Sequence, residues 1–568
     1  MGNRVSARLR AGLRWLAAVA ACLCMVAFVS GCSSGGSDEP SSQAQTQASS
    51  SKEQTFTPSG DKDTGTVITI ASGSENREAA AAIQKAADEA GVTINMEYMG
   101  SVDIKNVLAE GASDYDAVWP ASSIWISMGD TQHLVKDEES TSTTPVVLGV
   151  KKSKAQELGW LGSDGSASVT TADIVKAVQD GKLTFAMTSA TQSNSGASAY
   201  LAFLTSLAGK DQPLTAEDLA NQDLQNSMKA LLSGVDRSSG SSDWLKDLVL
   251  KDPDAHDAMV NYESIVIQTN KELTAQSKEP LIVVYPKDGI AVSDSPLGYI
   301  DHGQGKEEDF ENFQAALASD DAKLELERVG RRTGLGGKLA FADDDQVKQA
   351  FNAEWGIVAD GSVLKTAPLP AADVTEQALQ LYQSALRKAA YTIWVVDYSG
   401  SMHGEGKNGV TQGLSLALDP TQAEQYMIQP AEGDVNILIP FSSDVLDTAV
   451  ADGPNTADLL QLAQTTDASG GTNIYAGLEA ALQMLPPDDG SCTTAIVLMT
   501  DGMSDDMEKD QFFEDYQALG RDIPIFPIMF GEADDEQLEP LADLSNGKMF
   551  DGRNGDLAAT FRTVKGYN

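Results

Sequence analysis

Cysteine and histidine are both scarce in this chain, with four of each among 568 residues. Three of the cysteines (Cys22, Cys24 and Cys32) lie in the first 32 residues, and Cys492 stands alone near the other end. Once a leader is removed and Cys32 is modified, as argued below, no pair remains for an intramolecular disulfide. The histidines are far apart and show no metal-ligand spacing. Stability must therefore come from apolar cores, and this length allows more than one.

Basic residues are the second shortage, with 40 Lys and Arg against 83 Asp and Glu. Four of the arginines precede residue 15, so a processed chain would keep 40 − 4 = 36 basic residues. Such a charge argues against binding nucleic acid or anionic lipid headgroups through a basic surface.

Common catalytic motifs are missing as well. The sequence has no G-x-S-x-G elbow, no H-E-x-x-H and no P-loop. An S-x-x-K match at residues 59–62 lies in a low-complexity stretch where no fold would position a general base. We expect no catalytic residue and no enzyme activity.

The first 31 residues have the layout of a secretory leader. Four arginines precede the apolar residues 15–29, which are too few to read as a spanning helix that stays in the membrane. The run ends in Val-Ser-Gly-Cys, which resembles a bacterial lipobox and implies that Cys32 is lipidated. We expect a protein held on the extracytoplasmic face of the cell membrane by its lipid anchor only, with a Ser/Gln/Thr-rich tether over residues 32–65. Ordinary secretion is the alternative.

Five oxygen-bearing side chains in the last third of the chain follow the ends of predicted strands. Asp397, Ser399 and Ser401 form D-x-S-x-S after the apolar residues 391–396, Thr472 lies in a Gly-Gly-Thr loop, and Asp501 ends the apolar run 495–499. An α/β sheet brings such strand ends to one edge. Hydroxyls and carboxylates are hard ligands that suit Mg²⁺, with Mn²⁺ or Ca²⁺ as alternatives. The set predicts one divalent-cation site with a position left for an acidic group of another molecule.

These five residues resemble the metal-ion-dependent adhesion site of von Willebrand factor A domains, over residues 389–568. The resemblance implies a doubly wound, Rossmann-like sheet. It also implies that Ser399, Ser401 and Thr472 bind the cation directly, and that Asp397 and Asp501 bind it directly or through water. The alternative is a domain that keeps the motif only to hold its loops together.

Strands and helices also alternate between residues 66 and 365, which favours a parallel α/β sheet. The order of apolar runs, including residues 145–150 and 281–286, resembles the two-lobed extracellular solute-binding proteins of the periplasmic (type II) kind. The resemblance implies a first lobe over residues 66–145 that returns after about 285, and a second lobe between. Apolar residues at helical spacing predict a connecting helix within residues 366–388.

The cleft of that fold lies where strand ends meet helix starts. Helix amino ends seat anions or other polar groups, so we predict a small polar solute or anion there. The candidate ligand residues in the two lobes are Ser72, Ser74, Glu75, Ser193, Asn194 and Ser195. Ordinary helix capping is the alternative for the serines and asparagine. Arg331 and Arg332 could clamp an anion, although exposure is the default for basic residues.

Two functions remain open on these grounds. The first is a surface lipoprotein that binds a protein partner's acidic side chain through the metal site. The second is a substrate-binding receptor of an ABC-type importer, with the A domain as a docking accessory. A sensor in which cleft occupancy switches the A domain is a third and lesser option.

Overall fold

The computed structural model describes residues 52–59, 62–162, 167–504, 507–553 and 557–567. The leader, Cys32 and most of the predicted tether lie outside these residues, so what was predicted of them stays a prediction. None of the helices in the described part combines the length and apolarity that a membrane crossing needs.

The strands of the amino-terminal region are short and mostly buried. They are β1 (Glu53–Phe56), β2 (Val67–Gly73), β3 (Thr93–Met99), β4 (Ala117–Trp119), β5 (Val135–Ser140), β6 (Thr144–Lys151), β7 (Phe185–Thr188), β8 (Val235–Ser239), β9 (Ala258–Tyr262), β10 (Leu281–Val284), β11 (Val292–Ser293) and β12 (Pro296–Ile300).

The helices of this region pack against the faces of its sheets. They are α1 (Ala80–Ala90), α2 (Ser101–Ala109), α3 (Ser123–Gly129), α4 (Lys152–Glu157), α5 (Thr171–Gln179), α6 (Asn194–Leu207), α7 (Ala216–Leu219), α8 (Gln222–Leu232), α9 (Ser242–Lys251), α10 (Glu263–Ala275), α11 (Glu307–Leu317), α12 (Asp320–Arg328) and α13 (Asp345–Ala350). The 3₁₀ turn Ser74–Ala79 leads into α1.

Two sheets define two lobes, as predicted. The first lobe carries the order β1-β3-β2-β4-β12-β5, and the second carries β10-β6-β9-β7-β8 with β11 beside β6. Alternate residues of β3 are buried, because only one face of that strand meets the core. By contrast β6 and β9 are buried along nearly their whole length, which suits a sheet covered on both faces.

Within the described residues the chain crosses between the lobes three times. It crosses at residues 140–144, at 293–296 and again after α12. Residues 345–357 then pack into the second lobe through Val347, Phe351 and Trp355. β10 pairs with β6 in the second sheet, and the chain returns to the first sheet with β12, after residue 285 as predicted.

The predicted tether also contains a strand. β1 pairs antiparallel with β3 from Glu53↔Glu97 to Phe56↔Ile94, and the Phe56 side chain is buried. The sheet therefore starts earlier than the predicted boundary at residue 66. The strand was missed because it has only one apolar residue among polar ones.

The predicted connecting helix is present as α14 (Ala372–Leu381), which continues as one π-helical turn, Tyr382–Leu386. After it come the strands β13 (Ala389–Asp397), β14 (Val435–Phe441), β15 (Ala449–Asp452), β16 (Cys492–Thr500), β17 (Ile525–Met529) and β18 (Phe550–Asp551). The helices are α15 (Glu405–Leu418), α16 (Pro420–Glu424), α17 (Ala457–Thr465), α18 (Ile474–Gln483), α19 (Lys509–Ala518), α20 (Asp535–Leu544) and α21 (Leu557–Lys565).

The carboxy-terminal sheet has the order β15-β14-β13-β16-β17-β18, in which only the edge strand β15 is antiparallel to its neighbour. Ile393 and Val395 pack into one helical layer while Trp394 and Val396 pack into the other. This is the doubly wound sheet that was predicted. β17 contains a proline, yet it is not an edge strand, since β18 pairs beyond it. Pro527 is tolerated because β18 pairs only with the two residues after it.

Candidate metal and solute sites

The predicted metal residues meet at the carboxyl edge of the carboxy-terminal sheet. β13 lies between β14 and β16 in parallel register, so the ends of β13 and β16 bring Asp397 and Asp501 side by side. The apolar residues of these strands bury the backbone up to the last position, and the chain then turns outward into polar loops. This is the ligand-binding edge of an open α/β sheet.

A continuous chain of hydrogen bonds joins four of the predicted residues. The Ser399 N–H donates to Asp397 Oδ1 at 2.7 Å, and the Ser399 and Ser401 hydroxyl oxygens lie 3.0 Å apart. The Ser401 hydroxyl donates to Asp501 Oδ1 at 2.7 Å. The Thr500 hydroxyl donates to Asp397 Oδ2, also at 2.7 Å. The oxygens are thus close enough to share one small ion.

Thr472 lies at the same point from another loop. A Cβ placed on Gly502 would lie 3.6 Å from both Thr472 Oγ1 and Ser401 Oγ, so the two hydroxyls face one spot. The Gly400 N–H donates to the Gly470 carbonyl at 3.0 Å, which ties the two loops together. The structure therefore brings together all five side chains that were predicted from the sequence as metal ligands.

The electrostatics of this edge are unfavourable without a counter-charge. Burial raises the pKa of Asp397, and the nearby Asp501 carboxylate raises it further. Burial likewise raises the pKa of Asp501, with a smaller contribution from Glu532. Two desolvated carboxylates and three hydroxyls in one cluster form a donor set that fits a hard divalent cation.

Thr500 is a residue that the sequence reasoning missed. Its hydroxyl bonds Asp397 Oδ2 and also accepts from the Gly502 N–H at 3.3 Å. It therefore orients the buried carboxylate rather than facing the shared spot. Its position directly before Asp501, at a strand end, was the available signal.

Exposed apolar side chains flank the metal loops on two sides. They are Val445 and Leu446 after β14, and Met503 and Met507 after β16. The first pair is close because the Gly471 N–H donates to the Ser443 hydroxyl at 2.9 Å. In the second pair, Met503 is close because the hydroxyl of the adjacent Ser504 donates to the Thr472 carbonyl at 3.3 Å. Met503 is 67% exposed and Met507 86%, which is unusual for methionine.

The predicted first-lobe cleft residues lie at the start of the 3₁₀ turn before α1. Ser72 is buried, and its hydroxyl donates to the Gly73 carbonyl and accepts from Asn76 Nδ2 at 3.0 Å. Ser74 Oγ lies 3.5 Å from Ser241 Oγ of the second lobe. These two serines therefore contact the protein itself, and the second contact joins the lobes.

Glu75 occupies the place predicted for an external anion. Its carboxylate folds back over Gly73, where even a Cβ would overlap its oxygens. Burial raises the pKa of Glu75 to about 7, although the charge of Arg331 opposes the rise. Its Oε1 atom has no hydrogen-bond partner among the described residues. The helix start is thus covered by a carboxyl group of the chain itself.

The predicted second-lobe residues form a buried hydroxyl cluster. Ser242 Oγ lies 2.6 Å from Ser195 Oγ and 3.1 Å from Ser193 Oγ, and Ser195 also meets Thr188 Oγ1 at 2.8 Å. Ser193 precedes α6, yet its side chain makes no capping bond. Ordinary capping is therefore not what holds Ser193 in place.

Asn194 is held by aromatic side chains. Its Nδ2 donates to Tyr262 OH at 3.0 Å and to Ser293 Oγ at 2.9 Å, while its Oδ1 accepts from Trp125 Nε1 at 2.7 Å. The amide is therefore fully used inside the protein. In this closed arrangement it orients the core between the lobes.

Two arginines that were expected to be exposed are in fact buried. Arg331 donates to Glu78 Oε1 at 2.6 Å, and Arg332 makes a bidentate pair with Glu263, both N–O distances being 2.7 Å. Both arginines are 1% exposed. Their carboxylate partners lie 253 and 69 residues away in sequence, which is why no local pattern indicated the pairs.

Two family models match the chain. Residues 68–332 match a model described as bacterial extracellular solute-binding protein, and residues 392–550 match the von Willebrand factor type A domain. The chain thus joins a solute-binding-like domain to an A domain. Among curated proteins no sequence matches.

Solved structures give distant similarities. A von Willebrand factor type A protein from Catenulispora acidiphila is 19% identical, over 32% of this chain and 42% of that one, with a TM-score of 0.27. A substrate-binding protein of an ABC transporter from Agrobacterium tumefaciens is 13% identical, over 57% and 97%, with a TM-score of 0.39. A ferric binding protein from Campylobacter jejuni is 14% identical, over 56% and 98%, with a TM-score of 0.41. The match thus spans less than half of the Catenulispora chain.

Proposed function

We propose that this two-domain protein is a surface lipoprotein that binds an extracellular protein partner through the metal edge of its A domain. The observation that carries the proposal is the convergence of Asp397, Ser399, Ser401, Thr472 and Asp501 on one spot. These residues would hold Mg²⁺, or Mn²⁺ or Ca²⁺ in its place, and the cation would supply a coordination position for an acidic side chain of the partner. No covalent bond is made or broken in this activity.

The surface around the site supports a protein as the ligand. The exposed apolar side chains Val445, Leu446, Met503 and Met507 would add contact area beyond the single carboxylate. A small acid would reach only the cation, whereas a protein surface would also cover these side chains.

Attachment to the membrane through Cys32 belongs to the same proposal. The match of residues 68–332 to a family of extracellular proteins supports an extracytoplasmic location. Metabolic labelling with a fatty acid would test the anchor. A Cys32→Ala chain should take up no label and should appear in the medium.

The binding function is tested by capture from the producing organism's envelope and medium. The bait is the full chain in Mg²⁺ or in EDTA, beside Asp397→Ala and Thr472→Ala variants. Asp458→Ala, on the exposed start of α17, is the matched control. We expect a protein retained only in Mg²⁺ and only by the parent and the control. Equal retention by Asp397→Ala in Mg²⁺ would refute the proposal.

A second candidate function is solute binding in the cleft. The unpartnered Glu75 Oε1 between the lobes favours it, because a ligand with a cationic or hydroxyl group would satisfy that atom. This function predicts thermal stabilisation by a small solute that persists in EDTA and is lost on Ser195→Ala or Glu75→Gln. A broad solute panel that gives no stabilisation would count against it.

A further inference from the structure

The A domain contacts both lobes of the solute-binding-like domain. On the second lobe, Arg237 pairs with Asp522 at 3.2 Å and also donates to the Asn546 carbonyl at 2.5 Å. On the first lobe, the α2 residue Asp103 pairs with Arg562 of α21 at 2.9 Å. The two lobes are therefore joined through the A domain as well as through their own crossings.

The last described residues of the chain lie against the mouth of the cleft. Tyr567 is buried, and its ring meets the Trp244 ring edge-on with centroids 4.9 Å apart. A Cβ on Gly240 would lie 2.7 Å from the Tyr567 ring, so the tyrosine fits only because residue 240 is glycine. A Cβ on Gly566 would overlap the Gln192 side chain.

The loops that touch this segment are also the loops that touch the first lobe. The Gln192 carbonyl accepts from the Ser101 N–H at 3.3 Å. Ser241, next to Gly240, is the residue whose hydroxyl faces Ser74 across the cleft. Tyr567 and Gly566 thus press on the second-lobe loops at the points where the lobes meet.

The same segment is continuous with the core behind the metal edge. Phe561 of α21 stacks on Trp394 of β13, with centroids 5.7 Å apart and planes 10° from parallel. Its ring also lies against Gly413 of α15, where a Cβ would come within 2.5 Å. α15 is the helix that follows the metal loop, so the segment contacts that helix through Phe561 and the second lobe through Tyr567.

We propose that the A domain is a built-in clamp that holds the two lobes closed through its carboxy-terminal segment, Arg562 to Tyr567. Opening of the cleft then requires the segment to release one of the two lobes: either Tyr567 leaves Gly240 and Trp244 of the second lobe, or Arg562 leaves Asp103 of the first. The clamp does not depend on the metal site or on the identity of any solute. Two lobes of this kind can be open or closed. Each contact that exists only in the closed state shifts the equilibrium towards closure.

Hydrogen–deuterium exchange of the full chain tests the clamp. Gly240→Val places methyl groups against the Tyr567 ring from the second lobe and leaves the A-domain core unchanged, while Tyr567→Ala removes the ring from the other side. Lys229→Ala, exposed on α8, is the control. We expect both interface variants to speed exchange at the Ser101 amide and in residues 72–76 about tenfold or more, with β13 and β16 unchanged in Gly240→Val.

Two results would overturn the clamp. The first is unchanged exchange at the lobe contacts in Gly240→Val. The second is faster exchange seen only in Tyr567→Ala and spread through the A domain. That result would show that Tyr567 stabilises the A-domain core and does not keep the lobes closed.

Discussion

The metal edge and the cleft are made of the same kinds of side chain, serines and carboxylates at strand ends, yet they use them differently. At the metal edge the oxygens bond one another around one spot and one side of the cluster is open, with Ser401 exposed. In the cleft, the groups of each lobe are buried and several bond the opposite lobe or their own core. Residue type alone therefore does not make a binding site. What matters is whether the side-chain oxygens remain accessible to a ligand or are already bonded within the protein.

The largest expected effect concerns the buried pairs behind the cleft. Arg332→Ala leaves the fully buried Glu263 without its bidentate partner, and we expect a loss of about 3–5 kcal/mol in unfolding free energy. Lys85→Ala removes a half-exposed pair with Glu325 and should cost under about 1 kcal/mol. Urea unfolding of the two variants measures both. Equal losses would mean that the cleft pairs are no more buried in solution than surface pairs.

Glu75 gives the stability of the cleft a pH dependence near neutral pH. Its pKa is raised from 4.5 to about 7 in the folded protein, so its contribution to stability is complete below about pH 4.5 and is lost as pH rises through 7. At pH 8 the charged, buried group costs on the order of 3 kcal/mol. Glu75→Gln should remove that cost.

The check is unfolding of parent and Glu75→Gln at pH 5 and pH 8. The variant should be the more stable one at pH 8, and the difference should shrink at pH 5. A difference that is the same at both pH values would show that Glu75 is not desolvated as the closed cleft requires.

Added Mg²⁺ should stabilise the folded protein by binding at the metal edge. At a concentration about 100 times its dissociation constant, a cation that binds only the folded state adds about 2.7 kcal/mol. We expect this gain in the parent and in Glu75→Gln, and none in Asp397→Ala. Calorimetry with and without Mg²⁺ measures it, and a full gain in Asp397→Ala would place the cation elsewhere.

Thr500→Val is the smallest of the expected effects. The substitution removes the hydroxyl that orients Asp397 and leaves the other donors in place, so we expect Mg²⁺ affinity to fall about tenfold. Titration calorimetry measures this directly. Thr493→Val, in the same strand but far from the edge, is the matched control. Unchanged affinity in Thr500→Val would show that the carboxylate keeps its place without it.

The sequence could identify Asp397, Ser399, Ser401 and Asp501 as metal candidates because they follow the apolar strands β13 and β16, and parallel strands bring their ends together. Thr472 lies instead in the loop between α17 and α18 and was identified through the family resemblance. The cleft depended on contacts that no short pattern reveals. Glu75 could be placed at a helix start, but no sequence pattern indicated that its carboxylate folds back over Gly73. The buried states of Arg331 and Arg332 depend on distant carboxylates. The contact of Tyr567 with the second lobe could not be predicted, since no local sequence pattern links this aromatic residue to the distant loop that it contacts.

The interior position of β12 in the first sheet has a consequence for biosynthesis. β12 pairs with β4 on one side and β5 on the other, so the sheet remains split until residues 296–300 have been made. The second lobe is mostly synthesised between β5 and β12. Closing so long a loop costs entropy, and a second lobe that is already compact shortens the distance its ends must span. A nascent chain that stalls before residue 300 would expose the unpaired edges of β4 and β5, which makes this interval the one in which an exported chain most needs protection from aggregation.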